Sequence, residues 1–81
     1  MTEQKQIDVA VLCAAEFRWH KVLMIMVLTA ERLGKAQWDT DDGFRLIGER
    51  IEALVRAGKL EVQGDLRKPR YSEVRLVEPV A

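Results

Sequence analysis

Leu60-Glu61-Val62-Gln63-Gly64-Asp65 and, beyond residues 66–72, Glu73-Val74-Arg75-Leu76-Val77 decide the fold of this chain. Both stretches alternate apolar and polar residues, the period of two that marks a half-buried β-strand. Leu60, Val62, Val74 and Leu76 then share one face, and Glu61, Gln63, Glu73 and Arg75 the other. Gly64-Asp65 opens a loop, and Pro69, which cannot donate to a strand ladder, keeps that loop unpaired. The reading is a C-terminal hairpin with its tip at Asp65 to Arg70.

Upstream the period changes to that of a helix. Phe44, Ile47, Ile51, Leu54 and Val55 recur at intervals of three and four. Thr40 is placed to cap this helix, with Asp41 and Asp42 in the first turn, where negative charge is favoured, and Gly58 to stop it. Gly48 costs about 1 kcal/mol relative to alanine inside a helix, so it marks either a close packing contact or a break. A second helix is expected over Phe17 to Leu33, on the stripe Trp19, Val22, Leu23, Met26, Ala30 and Leu33, with Gly34 as its terminating glycine and Arg32 complementing its negative end. Lys35 to Asp39 reads as a connection. A short first helix is expected over residues 8–15 with Asp8 as its cap, preceded by a flexible tail at residues 1–6, and Pro79-Val80-Ala81 ends the chain. Residues 7–78 then form one domain.

Three helices followed by a hairpin is the order of a winged-helix domain. The expected fold is therefore α+β and winged-helix-like, with the hairpin as the wing. The turn of a helix-turn-helix unit would be Lys35 to Thr40, or the segment around Gly48.

At 81 residues the chain has room for one core, burying roughly 60–65% of its unfolded surface. Lysine plus arginine and aspartate plus glutamate both number 13, a balance that argues against a surface that grips nucleic acid or an anionic membrane over its whole extent. The one cysteine, Cys13, allows no intramolecular disulfide, which fits a reducing compartment. Met1 to Gln6 is polar and lacks the pattern of a signal peptide. The longest apolar run, Val22 to Leu28, is far shorter than the roughly 20 residues a membrane-spanning helix needs. A soluble, cytoplasmic protein with no membrane partner is expected.

Catalytic equipment is hard to assemble from these residues. His20 is the only histidine. On a continuous helix Cys13 would lie roughly 10 Å from it, too far for a nucleophile–base hydrogen bond. Cys13 reads as a small core residue and His20 as a partly exposed helix residue. One histidine and one cysteine do not make a zinc site, and Asp39, Asp41 and Asp42 are explained by helix capping without an EF-hand's run of ligands. No glycine-rich phosphate loop is present. The expectation is a non-enzyme without metal, cofactor or small-molecule substrate.

The hairpin tip is locally basic on a neutral protein: Arg67, Lys68, Arg70 and Arg75 stand against Glu73 within residues 67–75. Three readings follow, the third being specific docking of the basic wing onto an acidic protein partner. One is phosphate contact by Arg67, Lys68 and Arg70 on double-stranded DNA, with Arg45, Arg50 and Arg56 of the third helix as groove or backbone contacts. The plainer one is loop solvation and edge protection, with ion pairs to Glu61 and Glu73 across the hairpin. Glu49 and Glu52 weaken the first, and Glu52 stands at ion-pair spacing from Arg56. The run Val22 to Leu28 is apolar on every side of its helix. Either it is buried all round, or Met24, Ile25 and Leu28 form a homodimer contact, with Trp19 and Trp38 either flanking that contact or completing the core.

The stretch Arg50-Ile51-Glu52-Ala53-Leu54-Val55-Arg56-Ala57-Gly58-Lys59-Leu60-Glu61, then Gly64-Asp65-Leu66-Arg67 and Arg70-Tyr71-Ser72-Glu73-Val74-Arg75-Leu76, resembles an uncharacterised bacterial domain family of unknown function. Trp19-His20-Lys21-Val22 is similar to that family's pattern of a tryptophan, basic residues and an apolar helix. The resemblance spans residues 8–77. The family usually forms the C-terminal part of longer proteins; here the large N-terminal partner domain is missing, so the chain is either a stand-alone member or an excised fragment, and Met1 and the absence of a tag favour the former. The resemblance implies no activity and assigns no functional residue. The leading expectation is a non-catalytic interaction module that binds regulatory nucleic acid through wing and third helix. The alternative is protein–protein interaction, through homodimerisation or docking to another chain.

Overall fold

In the computed structural model, which describes residues 2–78, the elements run α1 (Glu3–Ala14), β1 (His20–Lys21), α2 (Val22–Trp38), α3 (Asp41–Arg56), β2 (Leu60–Gln63), a 3-10 turn η1 (Pro69–Tyr71) and β3 (Glu73–Leu76). The sheet order is β1-β3-β2, antiparallel throughout. This is the expected α+β, winged-helix-like arrangement, with one strand more than the hairpin.

The hairpin register is the one the alternation demands: Leu60 faces Leu76, and Val62 faces Val74. Leu60 and Val74 are buried while Glu61 and Arg75, opposite each other on the outer face, are partly exposed and ion-paired at 3.3 Å. α3 also begins as expected, with the Thr40 hydroxyl accepting from the Gly43 N–H at 3.0 Å. The helix runs unbroken through Gly48, whose bare Cα faces the Met26 side chain of α2. Gly43 is required for a different reason. A Cβ there would stand 2.2 Å from the Trp38 carbonyl oxygen, so only glycine lets α3 start so close to the end of α2.

Three expected boundaries are corrected. The tail expected at residues 1–6 is, over Glu3 to Gln6, the first turn of α1, because the Thr2 hydroxyl accepts from the Lys5 N–H at 3.2 Å and caps the helix six residues before Asp8. Asp8 lies inside α1 and takes another role, described below. The second helix starts at Val22 and not at Phe17. His20 and Lys21 pair with Val74 and Glu73 of β3, and the Val22 N–H donates to the Ser72 carbonyl at 3.0 Å. Trp19 falls on the helical stripe by spacing, yet sheet pairing outweighs propensity for those residues. Gly34 does interrupt α2, with φ 124°, but Lys35 to Trp38 resume helical geometry where a connection was expected. The terminal Pro79-Val80-Ala81 lies outside the described residues.

The core is built where the elements converge: Ile7 and Val11 from α1, Val22, Ile25, Met26 and Ala30 from α2, Ile47, Ile51 and Leu54 from α3, and Leu60 and Val74 from the sheet. On α2 the buried positions 22, 25, 26, 29 and 30 form a single stripe at helical spacing. Thr29 lies within it, and its hydroxyl has no hydrogen-bond partner among the described residues. Cys13, expected in the core, is exposed, since positions 7, 10 and 11 already fill the inner face of α1. His20 is on β1 and its Nε2 lies 3.1 Å from the Glu16 carboxylate. Among the described residues no helix is long and apolar enough to cross a membrane.

Candidate interaction surface

The three α3 arginines expected to meet nucleic acid are each held by a carboxylate of the domain. Arg45 lies 3.0 Å from Glu49 and 3.8 Å from Asp42. Arg56 pairs with Glu52, one turn earlier on the same helix. Arg50 reaches across to α1, where its Nε and Nη2 donate to the two carboxylate oxygens of Asp8 at 2.8 and 2.9 Å. That fork-on-fork pair joins α1 to α3, and the hydrogen bonding to Asp8 raises the Arg50 pKa above its ordinary value. The outer face of α3 therefore sets acids among its arginines.

The wing divides in two. Arg67 folds back on Asp65, its backbone N–H at 2.9 Å and its guanidinium at 3.0 and 3.1 Å from the carboxylate. The side-chain hydrogen bond from Arg67, then its backbone one, lowers the Asp65 pKa. Arg75 lies on β3, over the Trp19 ring at 4.4 Å and beside Glu61. Lys68 and Arg70 are exposed and make no ion pair among the described residues. They are carried by a rigid turn: the Tyr71 N–H donates to the Lys68 carbonyl at 2.9 Å, and the Ser72 hydroxyl donates to the same oxygen at 3.0 Å.

Of the three expected dimer contacts, Ile25 is corrected: it is 0% exposed and belongs to the core, because it falls on the inner stripe of α2. Met24 and Leu28 lie on the opposite face, 49% and 37% exposed, with Val27 at 40%. Trp19 and Trp38 do not frame that face; Trp38 packs on the core and Trp19 sits under Arg75.

Two residues the sequence reading passed over complete this surface. Tyr71, 76% exposed, and Lys21 of β1 stand beside the α2 face. An open groove lined by Lys21, Leu23, Met24, Val27 and Arg70 continues into one lined by Leu23, Lys68, Pro69, Arg70 and Tyr71. The signal for its apolar floor was present in the spacing: once positions 22, 25, 26, 29 and 30 are assigned to the core, 23, 24, 27 and 28 fall together on the far side. No such signal existed for Lys21, whose place follows from strand pairing with distant Glu73.

No family model matches this chain, and neither does any curated protein or solved structure. The class that fold and surface define is a winged-helix-like α+β domain whose α3 arginines are paired within the domain and whose α2 has an open apolar flank.

Proposed function

We propose that this domain is a non-catalytic interaction module that docks a partner protein on the outer face of α2 and the adjoining η1 turn. The observation that carries the reading is the exposed apolar set Met24, Val27 and Leu28 on α2, next to Tyr71 on a hydrogen-bonded turn. Contiguous exposed apolar surface with a polar margin is what protein interfaces require. Met24 suits an adaptable contact, and Tyr71 brings large area at low ordering cost. A free, exposed Cys13 is compatible with the reducing cytoplasm, where we place the protein.

Binding of double-stranded DNA through the wing is the second reading, and Lys68 and Arg70 support it. Against it stand Asp42, Glu49 and Glu52, which accompany the α3 arginines and would meet phosphates unfavourably.

The experiment is a titration of isotope-labelled protein with a short mixed-sequence DNA duplex at low and moderate salt, read by amide NMR shifts. The docking reading expects no shift along α3. Shifts confined to residues 67–71 and one face of α3, weakening steeply with salt, overturn it in favour of nucleic acid.

A further inference from the structure

Resting on that reading, we infer that the groove between α2 and η1 takes an acidic amphipathic segment of the partner. Its apolar side chains lie on Leu23, Met24 and Val27, and its carboxylates meet Lys21, Lys68 and Arg70.

The argument is one of charge. The protein carries no net charge, yet among the described residues the groove is lined by three cations and by no carboxylate. Two nearby acids turn their carboxylates to other groups, and Asp65 also feels the charge of Lys68. Asp65 is held by Arg67 at 3.0 Å. Glu73, opposite Lys21 in the sheet, accepts instead from the Gln63 side-chain amide at 2.6 Å. None of the three cations makes an ion pair among the described residues, and beside apolar surface a carboxylate brought in by a partner is screened less than in open water. Hydrogen bonds that fix η1 hold Lys68 and Arg70 on a preformed backbone, which lowers the ordering cost of binding. The apolar floor repeats at helical spacing, the pattern that receives a partner helix laid along a groove.

The same charge disfavours a second copy of this chain. A two-fold pairing through the groove sets Lys21, Lys68 and Arg70 against their own equivalents, a like-charge contact that opposes association. A single nucleic-acid strand fits less well, because its bases need aromatic platforms and the floor is aliphatic apart from Tyr71.

The test is a selection from a displayed library of random peptides against the full chain, with the enriched peptides then measured by fluorescence anisotropy. Lys68→Glu/Arg70→Glu and Met24→Ser are compared with the parent; all three positions are exposed, so the fold is retained. The expected result is enrichment of aspartate and glutamate among leucine, phenylalanine and tryptophan. Affinity should fall about tenfold or more in each variant, and weaken with salt. Peptides that lose affinity in Met24→Ser but lack acidic residues and ignore charge reversal overturn the acidic partner while leaving protein docking intact. Peptides that bind without regard to either variant, or no enrichment at all, overturn both. A labelled single-stranded oligonucleotide bound through Lys68 and Arg70, or a sedimenting dimer abolished by Met24→Ser, overturns the acidic segment in favour of nucleic acid or a second copy.

Discussion

α2 and α3 pack against each other, run for 17 and 16 residues, and treat their outer faces in opposite ways. α3 covers its outside with arginines and then closes every one of them on a carboxylate, two within the helix and one across to α1. α2 has no charged residue between Val22 and Ala30, and it leaves Met24, Val27 and Leu28 in solvent. The difference teaches that charge density is a poor guide to where this domain is available. The helix richest in cations has few to offer, and the apolar helix is the unfinished one.

The sharpest way to break the contrast is to treat the two faces of α2 alike. Ile25→Ala should lower stability by about 2–5 kcal/mol in urea unfolding followed by circular dichroism. Met24→Ala one residue away should stay within about 0.5 kcal/mol. Equal losses would mean that the outer face is packed after all. On α3, Arg50→Ala should lower the Tm more than Arg45→Ala or Arg56→Ala, because its partner Asp8 lies on another helix and both side chains are only about a quarter exposed. The other two arginines make exposed pairs within one helix, each worth about 0.2–0.5 kcal/mol. If all three variants melt together, the α1–α3 link is decorative.

Thr29→Val tests the inner side of α2, where a buried hydroxyl has no partner among the described residues. Removing it should be neutral or raise stability by up to about 1 kcal/mol, measured by the same unfolding midpoint. The smallest effect is expected on the wing. The Asp65 carboxyl should titrate below the ordinary aspartate range by carbon-detected NMR and return to it in Arg67→Ala. Since the folded pKa is depressed, the contribution of this pair is present above the unfolded aspartate value of about 3.9 and is lost as pH falls through the folded one. The pair is largely exposed, so solvent screens it and the change in overall stability should be slight.

What could be read in advance followed local chemistry. The hairpin register, the Thr40 cap and the run of α3 were legible because alternation, a capping hydroxyl and a helical stripe are short-range signals. β1 was not, because His20 and Lys21 become a strand only through residues more than fifty positions away, while Trp19 and Val22 imitate a helix by spacing. The start of α1 was hidden by its polar first turn; only the Thr2 hydroxyl announced it. For the candidate surface, Met24, Lys68 and Arg70 were named from the sequence and line the adjoining grooves, with Leu28 exposed on the same face of α2, whereas Ile25 was misplaced because an all-apolar run does not say which side is inside. The ion pair that occupies Arg50 is long-range and left no trace in the spacing.

Among the described residues β3 is the middle strand of the sheet and the last of its three strands in the chain, and β1 and β2 each pair only with it. During synthesis the first two strands therefore wait without hydrogen-bond partners until Leu76 has cleared the ribosome. The helices can form as they emerge, but the sheet cannot grow strand by strand. Its arrival draws in both waiting edges in a single late event, closing a long loop from β1 and a short one from β2. A chain cut before residue 73 would keep α2 and α3 without the strand that fastens either flank, and the apolar surface left open would favour aggregation.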